Sequence, residues 1–172
     1  VSIVFGTAVS AVHLATQGLL SRNEKLHRYR VVARAFMLDV AEKTAQGYAD
    51  AVNDALVKDT LEAGGHTYEW YRTTEGESLV GFEFTGMGFW DRISGILVLS
   101  PDLQTVEHIQ FIDQKETPGL GARIEEEQFT DQFKGLQVDW EAPTDQRILI
   151  GTGRADAGNR VDAVTGASQT SL

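Results

Sequence analysis

The first 21 residues of the chain contain no Asp, Glu, Lys or Arg, and the first charged side chain is Arg22. A helix needs about 20 mostly apolar residues to cross a bilayer, because each residue rises about 1.5 Å through about 30 Å of hydrocarbon. The run is long enough, although Ser, Thr, His and Gln side chains interrupt it. It therefore predicts a membrane anchor helix at residues 1–21. A cleaved signal peptide and a buried core helix are the alternatives.

The charges that follow this run bear on its orientation. Positive charge close to the end of a membrane span is typical of the cytoplasmic side. By this criterion alone, the residues after the run are expected in the cytoplasm. The cations concerned are Arg22, Lys25, Arg28, Arg30 and Arg34.

The composition limits the classes of protein to which the chain can belong. With 172 residues, 42% of them hydrophobic, it suits one compact domain rather than two. Its formal net charge of −10 argues against a general nucleic-acid binder, which needs a basic face. The chain has no cysteine, which excludes disulfides, thiolate metal sites and cysteine nucleophiles. The 4 histidines lack the paired spacing of metal ligands, so no metal site is predicted.

The apolar pattern predicts an α+β fold with a mostly antiparallel sheet, preceded by one long N-terminal helix. Apolar residues recur at helical spacing in three places, and Gly64-Gly65 is expected to end the second helix. Apolar runs bounded by turn residues predict the strands. The helices are predicted at 24–38, 49–62 and 128–133, and the strands at 67–72, 79–85, 93–99, 106–113 and 148–150.

The segment 162–171 places four hydroxyl side chains around Gly166-Ala167. One interpretation is a Ser/Thr-rich turn that caps a helix. The other is a phosphate site, because free backbone N–H groups at a helix start attract anions and small residues allow close approach. Both stay open on spacing alone.

Residues 116–121, with the sequence ETPGLG, form the second unusual segment. Pro118 and Gly119 alone are sufficient for a tight turn. The other residues exceed what a turn requires, and they could face a flat ligand. A plain structural turn is the alternative.

Residues 86–91, with the sequence GMGFWD, form the third segment. Its two glycines precede the aromatic pair Phe89-Trp90. The glycines either let the backbone approach a planar ligand or let the two aromatic rings turn into the core. A dinucleotide-binding fingerprint is excluded, because the third glycine is missing and no helix is predicted to follow.

Together the three segments resemble the FMN-binding domain family, which includes the flavin-carrying subunits of the Na⁺-translocating NADH:quinone reductase (Nqr) and of the related Rnf complex. The shared features are an anchor helix, a G-x-G-aromatic stretch, an E-T-P-G-L-G turn and the motif D-x-x-[ST]-G-A-[ST]-x-[ST]. The 86–90 stretch is closer to the quinone-reductase protein, whereas the chain length suits the Rnf protein. The fixed motif positions are filled by Asp162, Thr165, Gly166, Ala167, Ser168 and Thr170.

The resemblance implies a covalent cofactor. In the family, a flavin transferase moves FMN from FAD onto the last motif hydroxyl, which is Thr170 here, and forms a phosphoester. No catalytic residue or metal ligand is implied. The other cofactor-binding residues implied are Asp162, Thr165, Gly166, Ala167, Ser168 and Gln169 in the motif, and Trp90, Thr117, Leu120 and Gly121 near the flavin ring.

The resemblance also implies a function, a set of partners and a location. The chain is expected to relay electrons between other membrane subunits of an ion-translocating oxidoreductase, without a substrate site of its own. A membrane-tethered flavin sensor is the alternative. The family places its flavin domain on the periplasmic side of the bacterial inner membrane, against the orientation expected from the cations. The expected division is an anchor at 1–21, a helical connection at 22–48 and an FMN-binding domain at 49–172, in which the family's C-terminal helix after the motif is truncated.

Overall fold

In a computed structural model, residues 2–151 and 158–164 are described. The chain starts with one continuous helix of 34 residues, α1 (Ser2–Ala35), whose last third contains most of the helix predicted at 24–38. The end of α1 depends on Met37, which takes a positive φ of 51°. The Leu38 N–H reaches back to the Ala33 carbonyl at 2.8 Å and the Met37 N–H to Arg34 at 3.0 Å. This is a Schellman termination without the usual glycine, so the sequence carries no signal for it.

The N-terminal half of α1 is the predicted membrane anchor. Within the described part of the chain, no helix is both long enough and apolar enough to span a membrane. The anchor at residues 1–21 stays a prediction.

The second predicted helix, at 49–62, is wrong in its C-terminal half. Helix α2 (Ala45–Ala55) is capped at its N-terminus by Thr44, whose hydroxyl accepts the Gly47 N–H at 3.1 Å. Strand β1 (Leu56–Ala63) follows directly and pairs along its whole length with β2 (His66–Thr73). Gly64 and Gly65, with φ of 60° and 78°, make the two-residue turn between them. Two positive φ angles are the requirement of a tight hairpin turn, so the glycine pair joins two strands instead of ending a helix.

The predicted α+β class with an antiparallel sheet is confirmed. Strands β3 (Val80–Met87), β4 (Arg92–Leu99) and β5 (Val106–Asp113) continue the sheet, and the strand order follows the chain from β1 to β5. Their positions agree with the predicted strands within two residues. A short parallel pair, β6 (Leu149–Ile150) and β7 (Arg160–Val161), lies outside this sheet.

Each face of the sheet is covered by a different part of the chain. Residues Ile96 and Val98 of β4, both 0% exposed, belong to the core that includes α1 and α2. Residues Leu97 and Leu99 point to the opposite face, because side chains alternate along a strand. That face packs against a 3₁₀ turn (Gly121–Glu125), α3 (Glu127–Thr130), the 3₁₀ turn that follows it, and β7. Helix α3 and that turn (Asp131–Phe133) replace the helix predicted at 128–133.

A polar cluster attaches α1 to the sheet. The Arg28 guanidinium contacts Glu69 at 2.9 Å and Glu83 at 2.6 Å, and Lys58 also contacts Glu69 at 2.8 Å. The Tyr71 hydroxyl donates to Glu83 at 3.0 Å. Arg28 therefore has ion-pair partners within the fold. Because its charge serves the fold, it does not by itself indicate the orientation of a membrane span.

Candidate functional site

The turn predicted at 116–121 is present and follows β5. Gly119 has a φ of 76°, which a residue with a side chain rarely adopts. The Leu120 and Ala122 N–H groups both donate to the Thr117 carbonyl, at 3.0 and 3.2 Å. Leu120 is 47% exposed, whereas Gly121 is buried at the start of the 3₁₀ turn. The turn thus presents Leu120 to solvent and keeps Gly121 inside.

The loop at 88–91 connects β3 to β4, and its aromatic side chains do not enter the core. The Gly88 N–H donates to the Asp91 carbonyl at 2.9 Å, which closes the loop. Phe89 is 55% exposed and Trp90 is 67% exposed. The two rings pack edge to face, with centroids 4.9 Å apart. The structure therefore favours a contact surface over core packing for this pair.

Hydrogen bonds join the 88–91 loop to the 116–121 turn. The indole Nε1–H of Trp90 donates to the Thr117 hydroxyl at 3.0 Å, and its backbone N–H donates to the Glu116 carboxylate at 3.0 Å. At the loop's end, Lys115 contacts Asp91 at 2.8 Å. Hydrogen bonds thus link both Trp90 and Leu120 to Thr117, and the position of the three residues near a flavin ring stays a prediction.

The Asp91–Lys115 pair lies in solvent and shifts both pKa values. The hydrogen bond from Lys115, with that from the Arg92 N–H, lowers the pKa of Asp91. The same hydrogen bond and the charge of Asp91 raise the pKa of Lys115. Exposed pairs of this kind contribute little to stability, so this one supports the loop only weakly.

Glu116, which the sequence indicated only as one of the residues that exceed what a turn requires, takes part in the contact between the two segments. Its side chain is 6% exposed, an unusual environment for a carboxylate, and it accepts the Trp90 N–H. The available signal was its place in the turn motif, where it exceeds what a turn requires. Its burial depends on the approach of a loop 26 residues away, which spacing does not reveal.

Gly88 is required for the contact between the two segments. A Cβ at this position would collide with the Glu116 carboxylate and approach the Ile93 side chain to 2.8 Å. Gly86 has open space where its Cβ would be. The second glycine of the G-x-G stretch therefore serves the packing of loop against turn.

Two cavities lie beside α3, and Phe129 lines both of them. One, of about 320 Å³, has a predominantly apolar lining that includes Met87, Ile93 and Phe129. The other, of about 440 Å³, is lined by Arg123, Gln132 and Asp162 among others.

The start of the Ser/Thr-rich motif is anchored beside the second cavity. The Asp162 N–H donates to the Gln132 side chain at 2.9 Å, and Val164 is 8% exposed within the core. The start of the motif thus lies next to the 3₁₀ turn at Asp131–Phe133. The remaining predicted residues lie outside the described part of the chain: Thr165, Gly166, Ala167, Ser168, Gln169 and Thr170.

The described residues fit a flavin. The isoalloxazine ring system is flat and largely apolar, with polar atoms at its edge. Trp90, Phe89 and Leu120 offer exposed apolar side chains, two of them aromatic, next to the Thr117 hydroxyl. Aromatic stacking and a few well-placed polar groups are typical of cofactor sites.

This arrangement defines a flavin-binding class of protein, and comparison with known proteins agrees. Residues 88–172 match the family described as FMN-binding domain, so this part of the chain belongs to that family. The resemblance seen in the motifs is confirmed.

The relatives belong to one enzyme complex, the Na(+)-translocating NADH-quinone reductase, and are its NqrC subunit. The chain is 37% identical over 89 residues to NqrC of Pasteurella multocida. It is 34% identical over 87 residues to NqrC of Haemophilus ducreyi. The matches cover 51% and 50% of this chain but 34% of each relative, so the chain matches about a third of their length.

Solved structures share the fold over most of the chain. The crystal structure of Shewanella oneidensis NqrC superposes with a TM-score of 0.69 and 18% identity, covering 86% of this chain and 87% of that one. The NqrC protein from Parabacteroides distasonis gives a TM-score of 0.73 and 20% identity, covering 89% and 86%. At these identities the likeness shows the fold alone.

Proposed function

We propose that the chain is an electron-transfer subunit of an ion-translocating membrane oxidoreductase of the Nqr or Rnf type. In this proposal it relays electrons through FMN that is joined by a phosphoester to Thr170. Its partners are the other membrane subunits of the complex, with a flavin transferase during maturation. The relatives described above, both NqrC proteins of a quinone reductase, favour the Nqr type.

One observation carries the proposal: Trp90 and Leu120, whose side chains are exposed, are both hydrogen-bonded to Thr117. Trp90 is bonded through its indole N–H to the Thr117 hydroxyl, and Leu120 through its backbone N–H to the Thr117 carbonyl. Thr117 thus connects two residues whose apolar side chains are exposed. A flavin ring covering both side chains would remove them from water, which is favourable.

The chain's own residues have limited tasks in this function. When bound, FMN supplies a ring system that accepts and releases electrons. Trp90 and Leu120 would cover apolar parts of the ring and reduce its contact with water, while Thr117 orients the indole. A phosphoester leaves the ring itself unmodified and prevents loss of the cofactor.

The proposed location follows the family. We infer a single-pass anchor at 1–21 in the bacterial inner membrane and a flavin domain, 49–172, on the periplasmic side. The partners of Arg28 within the fold support this inference indirectly, since they weaken the cytoplasmic orientation expected from the cations.

The attachment is tested by producing the full chain with a flavin transferase and viewing a denaturing gel under ultraviolet light. We expect a fluorescent band at the mass of the chain, and an intact mass increased by FMN less one water. Thr170→Val should abolish both signals, because it removes the hydroxyl that is esterified. Ser171→Ala, which removes the neighbouring hydroxyl, is the matched control and should keep them.

If the Thr170→Val chain is still fluorescent, FMN is attached to another residue. A native chain of unmodified mass would refute covalent FMN. Purification of the native complex tests the partners: polytopic redox subunits are expected, and a signalling chain in their place would favour the flavin sensor.

A further inference from the structure

We propose that Glu116 is a positioning residue of the flavin site. Its buried carboxylate holds the 88–91 loop against Thr117, so that the Trp90 indole and Leu120 form one contact surface. The inference deepens the proposed function and rests on it for the identity of the ligand. The hydrogen bonds that join the 88–91 loop to the 116–121 turn are made between residues of the chain and need no bound flavin.

The burial of Glu116 shows that its carboxylate is held by the fold. A carboxylate that is 6% exposed is costly unless hydrogen bonds compensate for lost water. Its Oε1 atom accepts the Trp90 backbone N–H at 3.0 Å. The Glu116 N–H in turn donates to the Gln114 side chain at 2.7 Å. Both the backbone and the carboxylate of Glu116 are therefore fixed.

The two segments are shaped around this carboxylate. Position 88 has no side chain, and a Cβ there would meet the same Oε1 atom that accepts the Trp90 N–H. The carboxylate thus occupies the space that Gly88 leaves open. Without the carboxylate, the loop would lose both a hydrogen-bond acceptor and a packing partner.

The two N–H groups of Trp90 donate hydrogen bonds to two consecutive residues. Glu116 binds the backbone N–H and Thr117 the indole N–H. The Thr117 bond lies in solvent and joins neutral groups, so it is the weaker of the two. The bond from the Trp90 backbone N–H to Glu116 is partly buried, and a hydrogen bond shielded from water is stronger. Glu116 therefore fixes the backbone, and Thr117 then sets the direction of the ring.

The proposal is tested by ¹⁹F NMR of the full chain labelled with 5-fluorotryptophan. The chain has 3 tryptophans, and Trp90→Phe assigns the resonance of interest. We expect Glu116→Ala to shift and broaden the Trp90 resonance while those of Trp70 and Trp140 stay in place. Glu116→Gln keeps an acceptor oxygen and should restore the native position. Glu125→Gln, which removes an exposed charge nearby, is the control and should have no effect.

An unchanged Trp90 resonance in Glu116→Ala would overturn the proposal. If that variant fails to fold, Glu116→Asp takes its place, since its carboxylate is one methylene too short. Collapse of this second variant would also overturn the proposal, because Glu116 would then support the whole fold and not the loop.

The relation to flavin is tested separately from the loop. The NMR measurement is repeated in Thr170→Ala, where the effect of Glu116→Ala should persist whether or not the proposed function is correct. In the loaded chain, Glu116→Ala should increase flavin fluorescence without releasing flavin, because Trp90 no longer stays beside the ring to quench it. Unchanged flavin fluorescence, with the Trp90 resonance displaced, would refute the flavin role of Glu116 and leave the proposed function standing.

Discussion

Trp90 combines a ring that is 67% exposed with two N–H groups that are both hydrogen-bonded within the fold. Ordinary surface tryptophans have no need of such fixation. The hydrogen bonds come from a turn that is distant in sequence, and Gly88 allows the two segments to approach. At the scale of residues, the proposed site is a surface on which Trp90 is fixed by hydrogen bonds to the buried Glu116 and to the Thr117 hydroxyl.

The two glycines of the G-x-G stretch provide a matched test of this packing. Gly88→Ala should destabilise the chain by about 1–3 kcal/mol, because its Cβ collides with the Glu116 carboxylate and crowds Ile93. Gly86→Ala, with open space at its Cβ, should change stability by less than about 1 kcal/mol. Urea unfolding of both variants measures the difference. Equal effects would show that the loop tolerates a side chain at position 88.

At the scale of elements, the β1–β2 hairpin shows how local signals mislead. A glycine pair after a helical pattern predicts the end of a helix. On this basis the sequence predicts a helix at 49–62, which is wrong in its C-terminal half. The structure uses Gly64 and Gly65 as a hairpin turn, because β1 gains a full-length partner in β2. The hairpin supplies Lys58 and Glu69 to the polar cluster, and these side chains connect the sheet to Arg28 of α1.

The polar cluster predicts a pH dependence of stability. Burial opposes ionisation of Glu69, but the hydrogen bond and charge of Lys58, with the charge of Arg28, outweigh it and hold the pKa of Glu69 below its usual value. A lowered folded-state pKa stabilises the fold above the unfolded pKa, and this stability is lost as pH falls through the folded pKa. Glu69→Gln should therefore cost about 1 kcal/mol or less at pH 7, since the partners are half exposed.

The cost of Glu69→Gln should shrink when unfolding is measured well below about pH 4.3, the ordinary pKa of Glu, because the unfolded state binds the proton there first and the native carboxylate follows as the pH falls further. Glu75→Gln, in the exposed β2–β3 connection, removes the same charge away from the cluster and is the control. A cost of Glu69→Gln that is the same at both pH values would show that the cluster does not stabilise the fold through its charge.

At the scale of the whole molecule, the family match and the folding unit have different boundaries. The match begins at residue 88, within the connection from β3 to β4. Ile96 and Val98 of β4 are covered by the core that contains α1 and α2, which lie before this boundary. The proposed flavin surface is thus supported by a sheet that the matched segment contains only in part.

Truncation distinguishes these boundaries. A fragment of residues 88–172 should show no cooperative thermal unfolding by circular dichroism, because it lacks three strands and exposes the face of β4 that α1 covers. A chain of residues 23–172 should unfold cooperatively, since the described side chains of α1 before Leu26 are mostly exposed. Cooperative unfolding of the shorter fragment would show that the matched segment folds by itself.

The sequence alone determined the α+β class, most strand positions, the 116–121 turn and the family, because apolar periodicity and short motifs are local properties. The tertiary structure decided that Gly64-Gly65 joins strands, that Met37 ends α1 and that Glu116 is buried against Trp90. The burial of Glu116 depends on a loop 26 residues away, and the role of Gly64-Gly65 depends on the pairing of β1 with β2; a local pattern does not show which segments pair or meet. The end of α1 depends on a positive φ at Met37, a residue type that gives no signal for it.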